Sequence, residues 1–217
     1  LDNSKTGIKV KKRPMKIFCI GRNYVAHAKE LNNEVPDEPV IFMKPKTAFI
    51  HFASPFHYPE FTNELHYEAE LVLRVSKNGR YVPEKYAHQY YNGITVGIDF
   101  TARDIQQKLK EKSLPWEKAK AWDNSALIGD WTNIDAATFP KTVHFSMKKN
   151  DETVQSGDSS LMIFSFNKII NEISKYFSLN IGDLIFTGTP AGVGECVVGD
   201  RLTGFLEDKK VFDMEVK

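Results

Sequence analysis

The sequence predicts an α+β, β-rich fold in a single domain, and three observations point there. Period-two alternation of apolar and polar residues recurs, above all in N-E-L-H-Y-E-A-E-L-V-L-R-V (63–75) and N-G-I-T-V-G-I-D-F (92–100). Helical patterning is confined to short segments between such stretches. The length of 217 residues and the mass of 24.8 kDa suit one well-buried unit with at most a small cap.

Composition narrows the partners. Lysine plus arginine at 29 against 28 acidic residues leaves a formal charge of +1, which argues against nucleic acid or an anionic membrane as the main partner. Cys19 and Cys196 are far apart and lack C-x-x-C spacing, so neither a disulfide framework nor a zinc site is suggested, and a reducing cytoplasmic setting is expected. No apolar run approaches the roughly 18 residues of a membrane span, and no signal peptide is visible. The first fourteen residues, L-D-N-S-K-T-G-I-K-V-K-K-R-P, are polar and lysine-rich. They read as a processed or vector-derived arm (1–14) before a native start at Met15, or alternatively as a basic docking tail.

In chain order, K-I-F-C-I-G reads as a short buried strand ending at Gly21, where the backbone can turn without a Cβ penalty. After R-N-Y, V-A-H-A-K-E-L is helical, and His27 and Glu30, three apart, share a face. On this spacing alone, an ordinary surface pair is the plainer reading. The proline- and acid-rich N-N-E-V-P-D-E-P reads as a loop, so residues 22–38 together could form a lid. V-I-F-M-K-P-K-T-A-F-I resumes as extended chain, interrupted at Pro45.

In the 63–75 strand, Glu64, His66, Glu68 and Glu70 point one way and Leu65, Tyr67, Ala69 and Leu71 the other. Residues two apart rise by roughly 6.5–7 Å, which lets the Glu68 and Glu70 carboxylates converge on one cation. An amphipathic strand with a wet acidic face is the plainer alternative. K-N-G-R is a turn and V-P-E-K-Y-A-H-Q-Y-Y a short helix. The next strand alternates Ile94, Val96 and Ile98 with Thr95, Gly97 and Asp99, and so ends on a third carboxylate with glycine beside it. Asp99 is either a metal ligand or the N-cap of the following helix. That helix, T-A-R-D-I-Q-Q-K-L-K-E-K, places Arg103 and Gln106 on one side.

L-P-W-E-K-A-K-A-W-D-N-S-A-L-I-G-D-W reads as a tryptophan-rich loop carrying Lys118 and Lys120, either solvated or available to an anionic substrate. T-V-H-F-S-M-K-K-N-D-E-T-V-Q-S-G-D is a hairpin turning at Asn150–Asp151, and S-F-N-K-I-I-N-E-I-S-K-Y-F an amphipathic helix. Neither carries obvious chemistry. In N-I-G-D-L-I-F-T-G-T-P-A-G-V-G, a strand over 184–187 runs into a loop whose Gly188, Gly192 and Gly194 let backbone amides and the Thr189 hydroxyl approach an anion. A simple tight turn is the alternative. The loop lacks G-K-[ST] and is not a G-x-G-x-x-G opening a helix, so ATP and NAD are rejected. The tail closes as a hairpin, and no internal repeat appears.

The ordered blocks G-R-N-Y with His27 and Glu30, F-M-K-P, H-Y-E-A-E-L, G-I-D-F-T-A-R-D-I-Q, K-A-W-D and G-D-L-I-F-T-G-T-P-A-G-V-G resemble the fumarylacetoacetate hydrolase superfamily. The resemblance is strongest to its short acylpyruvase and oxaloacetate decarboxylase-like branch, and runs from Met15 to the C-terminus. It implies a mixed β-sandwich roll with short peripheral helices and an N-terminal lid, a single catalytic domain over 15–217, usually homodimeric. It further implies Mg²⁺ or Mn²⁺, with Ca²⁺ able to stand in, on Glu68, Glu70 and Asp99. A lid dyad of His27 and Glu30, a catalytic Lys120, and substrate contacts from Arg103, Gln106, Lys120, Thr189 and more distantly Arg22 are also implied. Where relatives often have K-S-F-D and a proline loop ending G-P, this chain has Trp122 and Asp130, which are expected to alter the pocket wall.

Three carboxylates select a hard, oxygen-preferring dication. The expected reaction is cleavage of a C–C bond in a small 2-oxo acid through a metal-stabilised pyruvate enolate. In acylpyruvate hydrolysis, Glu30 aided by His27 is the general base on water; oxaloacetate decarboxylation needs no such base. The alternatives are an isomerase of 2-hydroxymuconate-type diacids (5-carboxymethyl-2-hydroxymuconate or 2-hydroxyhepta-2,4-diene-1,7-dioate) and a non-catalytic, metal-dependent ligand-binding protein.

Overall fold

A computed structural model describes residues 16–31, 34–51, 54–135 and 142–217; the expected N-terminal arm and part of the expected lid loop lie outside them. The elements run β1 (Ile17–Gly21), α1 (Val25–Glu30), β2 (Val40–Lys44), β3 (Phe49–His51), β4 (Leu65–Tyr67), β5 (Ala69–Val75), β6 (Tyr91–Asp99), β7 (Thr101–Ala102), α2 (Arg103–Glu111) and α3 (Glu117–Lys120). They continue with β8 (Ala126–Ile128), β9 (Thr132–Asn133), β10 (His144–Lys149), β11 (Glu152–Asp158), α4 (Phe166–Tyr176), β12 (Leu184–Phe186), β13 (Gly194–Glu195), β14 (Arg201–Leu206) and β15 (Lys209–Glu215). The expected β-rich α+β roll with short helices is what forms.

A mixed sheet in the order β2-β1-β12-β5-β6-β8-β3, with β9 added on β6, is faced by an antiparallel sheet β11-β10-β14-β15, and a small sheet β13-β4-β7 closes one end. β1 pairs parallel with β12 and β3 with β8. Strand periodicity explains how both faces of the large sheet are covered. Phe18, Ile20, Leu71, Leu73, Ile94 and Val96 point into the main core with Phe145, Met147 and Phe212 of the facing sheet. The intervening Ile17, Cys19, Val72 and Ile128 pack with Leu184 and Phe186 in a second cluster on the opposite face. Strands buried on both sides need apolar residues at nearly every position, as I-F-C-I and L-V-L supply.

The structure revises several local expectations. The 63–75 stretch is two strands: β4 pairs with β13 and β7, β5 with β12 and β6, and the chain changes sheets at Glu68. The acidic face is not wet, since Glu68 and Glu70 are buried at 5% and 2% exposure. The expected helix after the K-N-G-R turn is a 3-10 segment, Glu84–Tyr90. After β1 it is Arg22, at φ 59°, and not Gly21 that turns left-handed. The β10–β11 hairpin turns at Asn150 and Asp151, with φ of 51° and 68°, in the positive-φ pair that suits a tight hairpin.

Candidate metal centre and active site

The change of sheet at Glu68 makes the centre. Glu68 lies at the junction, Glu70 is the second residue of β5 and Asp99 ends the neighbouring β6, where Asp99 N–H donates to Glu68 O at 2.8 Å. The three buried side chains each present a carboxylate oxygen, and these atoms lie within 4.8 Å of one another. Gly97 pairs with Glu70 across the ladder, and a Cβ there would meet Leu127 O at 2.5 Å. The glycine expected to leave space beside Asp99 therefore serves strand packing instead.

Cations surround the carboxylates. Lys120 donates to Glu68 Oε2 at 2.7 Å, Asp99 Oδ2 at 2.8 Å and Thr101 Oγ1 at 2.6 Å. Arg103 donates to Glu68 Oε1 at 2.6 Å and to Gln106 Oε1 at 2.5 Å, so the i, i+3 pair on α2 works as a unit. Lys120 belongs to α3, not to a loop, and is buried, whereas Lys118 is exposed.

Lys44, which the sequence reading left unassigned, is 1% exposed at the end of β2. Its Nζ lies 2.6 Å from Asp99 Oδ1 and donates to Ser125 O and Oγ, each at 3.0 Å, and to Lys120 O. Asp99 Oδ1 accepts no bond of hydrogen-bonding geometry, so the Lys44 contact is Coulombic and that oxygen keeps its lone pairs for another cation. A buried oxygen of this kind, beside two more carboxylates, fits a hard dication.

Two of the carboxylates are pulled in opposite directions. Burial raises the Glu68 pKa, but Lys120 and Arg103 outweigh it and hold the group well below the usual carboxylate range. Burial and the charges of Asp99 and Glu68 push Glu70 well above that range, against the opposing Gly188 N–H and Lys120. Burial lowers the Lys120 pKa, yet Asp99 and Glu68 raise it overall, so it stays an ammonium.

The glycine-rich loop after β12 does bring amides to anions, but the anions are the chain's own. Gly188 N–H donates to Glu70 Oε2 at 2.7 Å and Gly192 N–H to Glu30 Oε1 at 3.0 Å. The Thr189 hydroxyl donates to Ala69 O and accepts from Gln155 Nε2, both at 2.8 Å. The hairpin without obvious chemistry thus supplies Gln155, which also accepts from Ala69 N–H at 2.8 Å and ties β5 to the loop. Nothing in E-T-V-Q-S-G-D marks Gln155 as the inward-facing polar residue, so the sequence offered no signal for it.

On α1, His27 Nδ1 lies 3.1 Å from Glu30 Oε2. His27 is buried; Glu30 is half-exposed behind it, held by Gly192. The pocket measures about 40 Å³, the scale of a few waters. His27, Glu68, Glu70, Asp99, Arg103, Gln106, Lys120, Thr189 and Arg22 all line it, whereas Glu30, the other half of the expected dyad, stands back from it. Trp122 and Asp130 do not reach the pocket: Trp122 packs on Phe56 and Phe61, and the tryptophan at the wall is Trp116.

Such a fold, carrying a buried carboxylate triad with a lysine, an arginine and a histidine–glutamate pair at one pocket, has the features of an enzyme with a candidate divalent-cation centre. The chain belongs to the fumarylacetoacetate (FAA) hydrolase family, whose C-terminal domain matches residues 16–217. It is 38% identical over 93% of its length, and 91% of the relative's, to the Mus musculus protein named oxaloacetate tautomerase FAHD1, mitochondrial. It superposes with a TM-score of 0.88 and 35% identity on fumarylpyruvate hydrolase from Pseudomonas aeruginosa, solved with Mn²⁺ and pyruvate, covering 93% of this chain and 88% of that one. For 5-carboxymethyl-2-hydroxymuconate delta-isomerase from Mycobacterium smegmatis the TM-score is 0.82, the identity 32% and the coverage 94% and 79%. Among the described residues no helix is long and apolar enough to cross a membrane.

Proposed function

We propose that this chain catalyses enol chemistry on a small 2-oxo acid, interconverting the keto and enol forms of oxaloacetate, with Mg²⁺ or Mn²⁺ held by Glu68, Glu70 and Asp99. The observation that carries this is the convergence of three buried carboxylates within 4.8 Å at a pocket also lined by His27, Lys120 and Arg103. The relative named oxaloacetate tautomerase supports the choice of substrate. When bound, such a dication acts as a Lewis acid that favours negative charge on the 2-oxo oxygen. Arg103 and Lys120 favour an anionic substrate, and Gln106, fixed by Arg103, orients it. With Nδ1 on Glu30, His27 is left with Nε2 to take a proton from the carbon beside the ketone and deliver it to the enolate oxygen, and in the reverse direction to take the enol's hydroxyl proton and deliver it to that carbon. Gly192 keeps Glu30 in place and so fixes the tautomer.

A second reading, hydrolysis of an acylpyruvate, is favoured by the same dyad and by the relative named fumarylpyruvate hydrolase. There Glu30 activates water and a C–C bond breaks. The M. smegmatis isomerase points to a third substrate type that needs only the proton shuttle. The test follows the ultraviolet decay of oxaloacetate enol, and the loss of acetylpyruvate, with Mg²⁺ or Mn²⁺ against metal-only controls. Acceleration of enol decay that chelation abolishes supports tautomerisation; no acceleration with either substrate refutes the site's assignment. Glu30→Gln should reduce acylpyruvate hydrolysis by about 10²–10⁴-fold, as expected for a lost general base, and enol decay by less than about tenfold.

A further inference from the structure

The pocket lining contains two arginines and two lysines, Arg22, Arg103, Lys110 and Lys120. Arg103 and Lys120 are already paired with Glu68, Asp99, Gln106 and Thr101. Arg22 and Lys110 are not: among the described residues neither side chain has a hydrogen bond or an ion pair, although both residues are half-buried. The Lys110 ammonium rests over the Trp116 ring, 5.9 Å from its centre. Burial and the charges of Arg103 and Arg22 lower the Lys110 pKa from the ordinary lysine value, so Lys110 senses the Arg22 charge without an anion to offset it.

Backbone geometry sets both side chains at the pocket. Arg103, Gln106 and Lys110, at i, i+3 and i+7, form one stripe of α2, and Lys110 lies about 6 Å further along the axis than Gln106. Arg22 turns left-handed at φ 59°, although Gly21 beside it would take that conformation without a Cβ penalty. An arginine held in glycine's region of backbone space is strain of the kind that collects at ligand-binding positions.

We propose that Arg22 and Lys110 form the subsite for a second carboxylate, so that the chain selects 2-oxo diacids of four or five carbons over 2-oxo acids with a single carboxylate. The inference rests on the 2-oxo acid reading of this pocket and deepens it by assigning the substrate's distal end. Charge leads to it first. A dication on Glu68, Glu70 and Asp99 offsets most of their charge and leaves the four lining cations in excess, which a dianion balances better than a monoanion. Length agrees with charge. With the 2-oxo end beside the triad and Gln106, the advance along α2 to Lys110 is of the order of the ~4–5 Å between the carboxyl carbons of a diacid with three or four C–C bonds. The pocket volume of about 40 Å³ disfavours longer chains. A terminal methyl in place of the carboxylate would take water from both cations and return no hydrogen bond.

The experiment is calorimetric titration of the full chain in Mg²⁺ at about 0.15 M salt, where distant surface charges are screened. The ligands are pyruvate and two pairs differing only in a terminal carboxylate or methyl, 2-oxoglutarate against 2-oxopentanoate and malate against 2-hydroxybutyrate. The hydroxy acids stand in for four-carbon 2-oxo acids because they do not decarboxylate. In at least one pair the diacid should bind about tenfold or more tightly, the gain from a charge-assisted hydrogen bond. Lys110→Met should remove most of that preference, about fivefold or more, and so should Arg22→Asn, which keeps a residue tolerant of the left-handed turn. Lys110→Arg should retain it. Lys108→Met removes an exposed lysine of the same helix that does not line the pocket, and should keep the ratio within about twofold of wild type. Each variant is read as a ratio of two ligands, so a general loss of fold or of metal affinity cancels. If pyruvate binds but neither diacid reaches that preference, the inference is overturned while the 2-oxo acid reading stands. A wild-type ratio in Lys110→Met or Arg22→Asn, or equal effects of Lys110→Met and Lys108→Met, also overturns it. If pyruvate itself fails to bind, the 2-oxo acid reading falls first, and this inference with it.

Discussion

Replacing Gly188 by alanine tests how the loop after β12 serves the metal centre. Gly188 has φ +101°, and a Cβ there would meet Asn23 Cβ at 2.6 Å and Ile20 O at 3.3 Å. Carbon atoms pack at about 3.5–4.0 Å, so the loop must retreat by about 1 Å. Asn23 cannot give way easily: it is buried, donates to Thr187 O at 2.7 Å and Phe164 O at 3.1 Å, and accepts from Phe164 N–H at 2.7 Å. The retreat withdraws Gly188 N–H from Glu70 Oε2, now 2.7 Å away. Backbone strain at positive φ and a weakened bond to a buried carboxylate together cost about 3 kcal/mol. For a chain of 217 residues that lowers Tm by roughly 6–12 °C. Mn²⁺ affinity should fall about 10–100-fold, as for loss of a bond that orients a ligand. Gly199→Ala is the control, with φ +95° and no atom within 4 Å of its Cβ; it carries the strain without the clash. Thermal unfolding and Mn²⁺ titration of both variants decide. If Gly188→Ala keeps Mn²⁺ affinity within twofold of wild type, or matches Gly199→Ala in both measurements, the argument fails.

Other substitutions and conditions probe the same centre. Lys44→Met leaves Asp99 charged, buried and short of a cation, and should cost about 3–5 kcal/mol in urea unfolding, part of it restored by saturating Mn²⁺; a loss below about 1 kcal/mol would show that Lys44 is dispensable. Glu70, raised well above the carboxylate range, favours its protonated form in the cation-free fold. Its contribution to stability is therefore present below the ordinary glutamate pKa and is lost as pH rises through the raised value. Since a dication needs the carboxylate, binding should release a proton, and Mg²⁺ affinity should rise with pH until Glu70 is ionised. Calorimetry in two buffers of different ionisation enthalpy reads this directly, and identical heats would contradict it.

The chemistry-bearing types were readable because strand alternation sorts residues by face: Glu68, Glu70 and Asp99, and the Arg103–Gln106 pair on one turn of helix, are brought together as their spacing indicates. Their burial was not readable. A row of acids looks wet until their partners are known, and those partners, Lys120 and Arg103, lie 52 and 35 residues away in sequence. Lys44 escaped notice for a related reason: after V-I-F-M, a lysine before proline looks like the polar end of a strand, and only the turn holding Ser125 gives its ammonium buried acceptors. The break at Glu68 was hidden because β4 and β5 share one continuous alternation while pairing with different sheets. The glycine loop was read correctly as a donor of amides, but the sequence could not show that Glu70 and Glu30 receive them.

The central claim, that Glu68, Glu70 and Asp99 hold the dication on which 2-oxo acid chemistry depends, is tested most directly by electron paramagnetic resonance during Mn²⁺ titration of wild type and Asp99→Asn. One tight Mn²⁺ per chain in wild type, with a spectrum changed by pyruvate, and affinity lower by 10²-fold or more in Asp99→Asn, is the predicted result. Equal Mn²⁺ binding by the two proteins, or a wild-type signal indifferent to pyruvate, would contradict it.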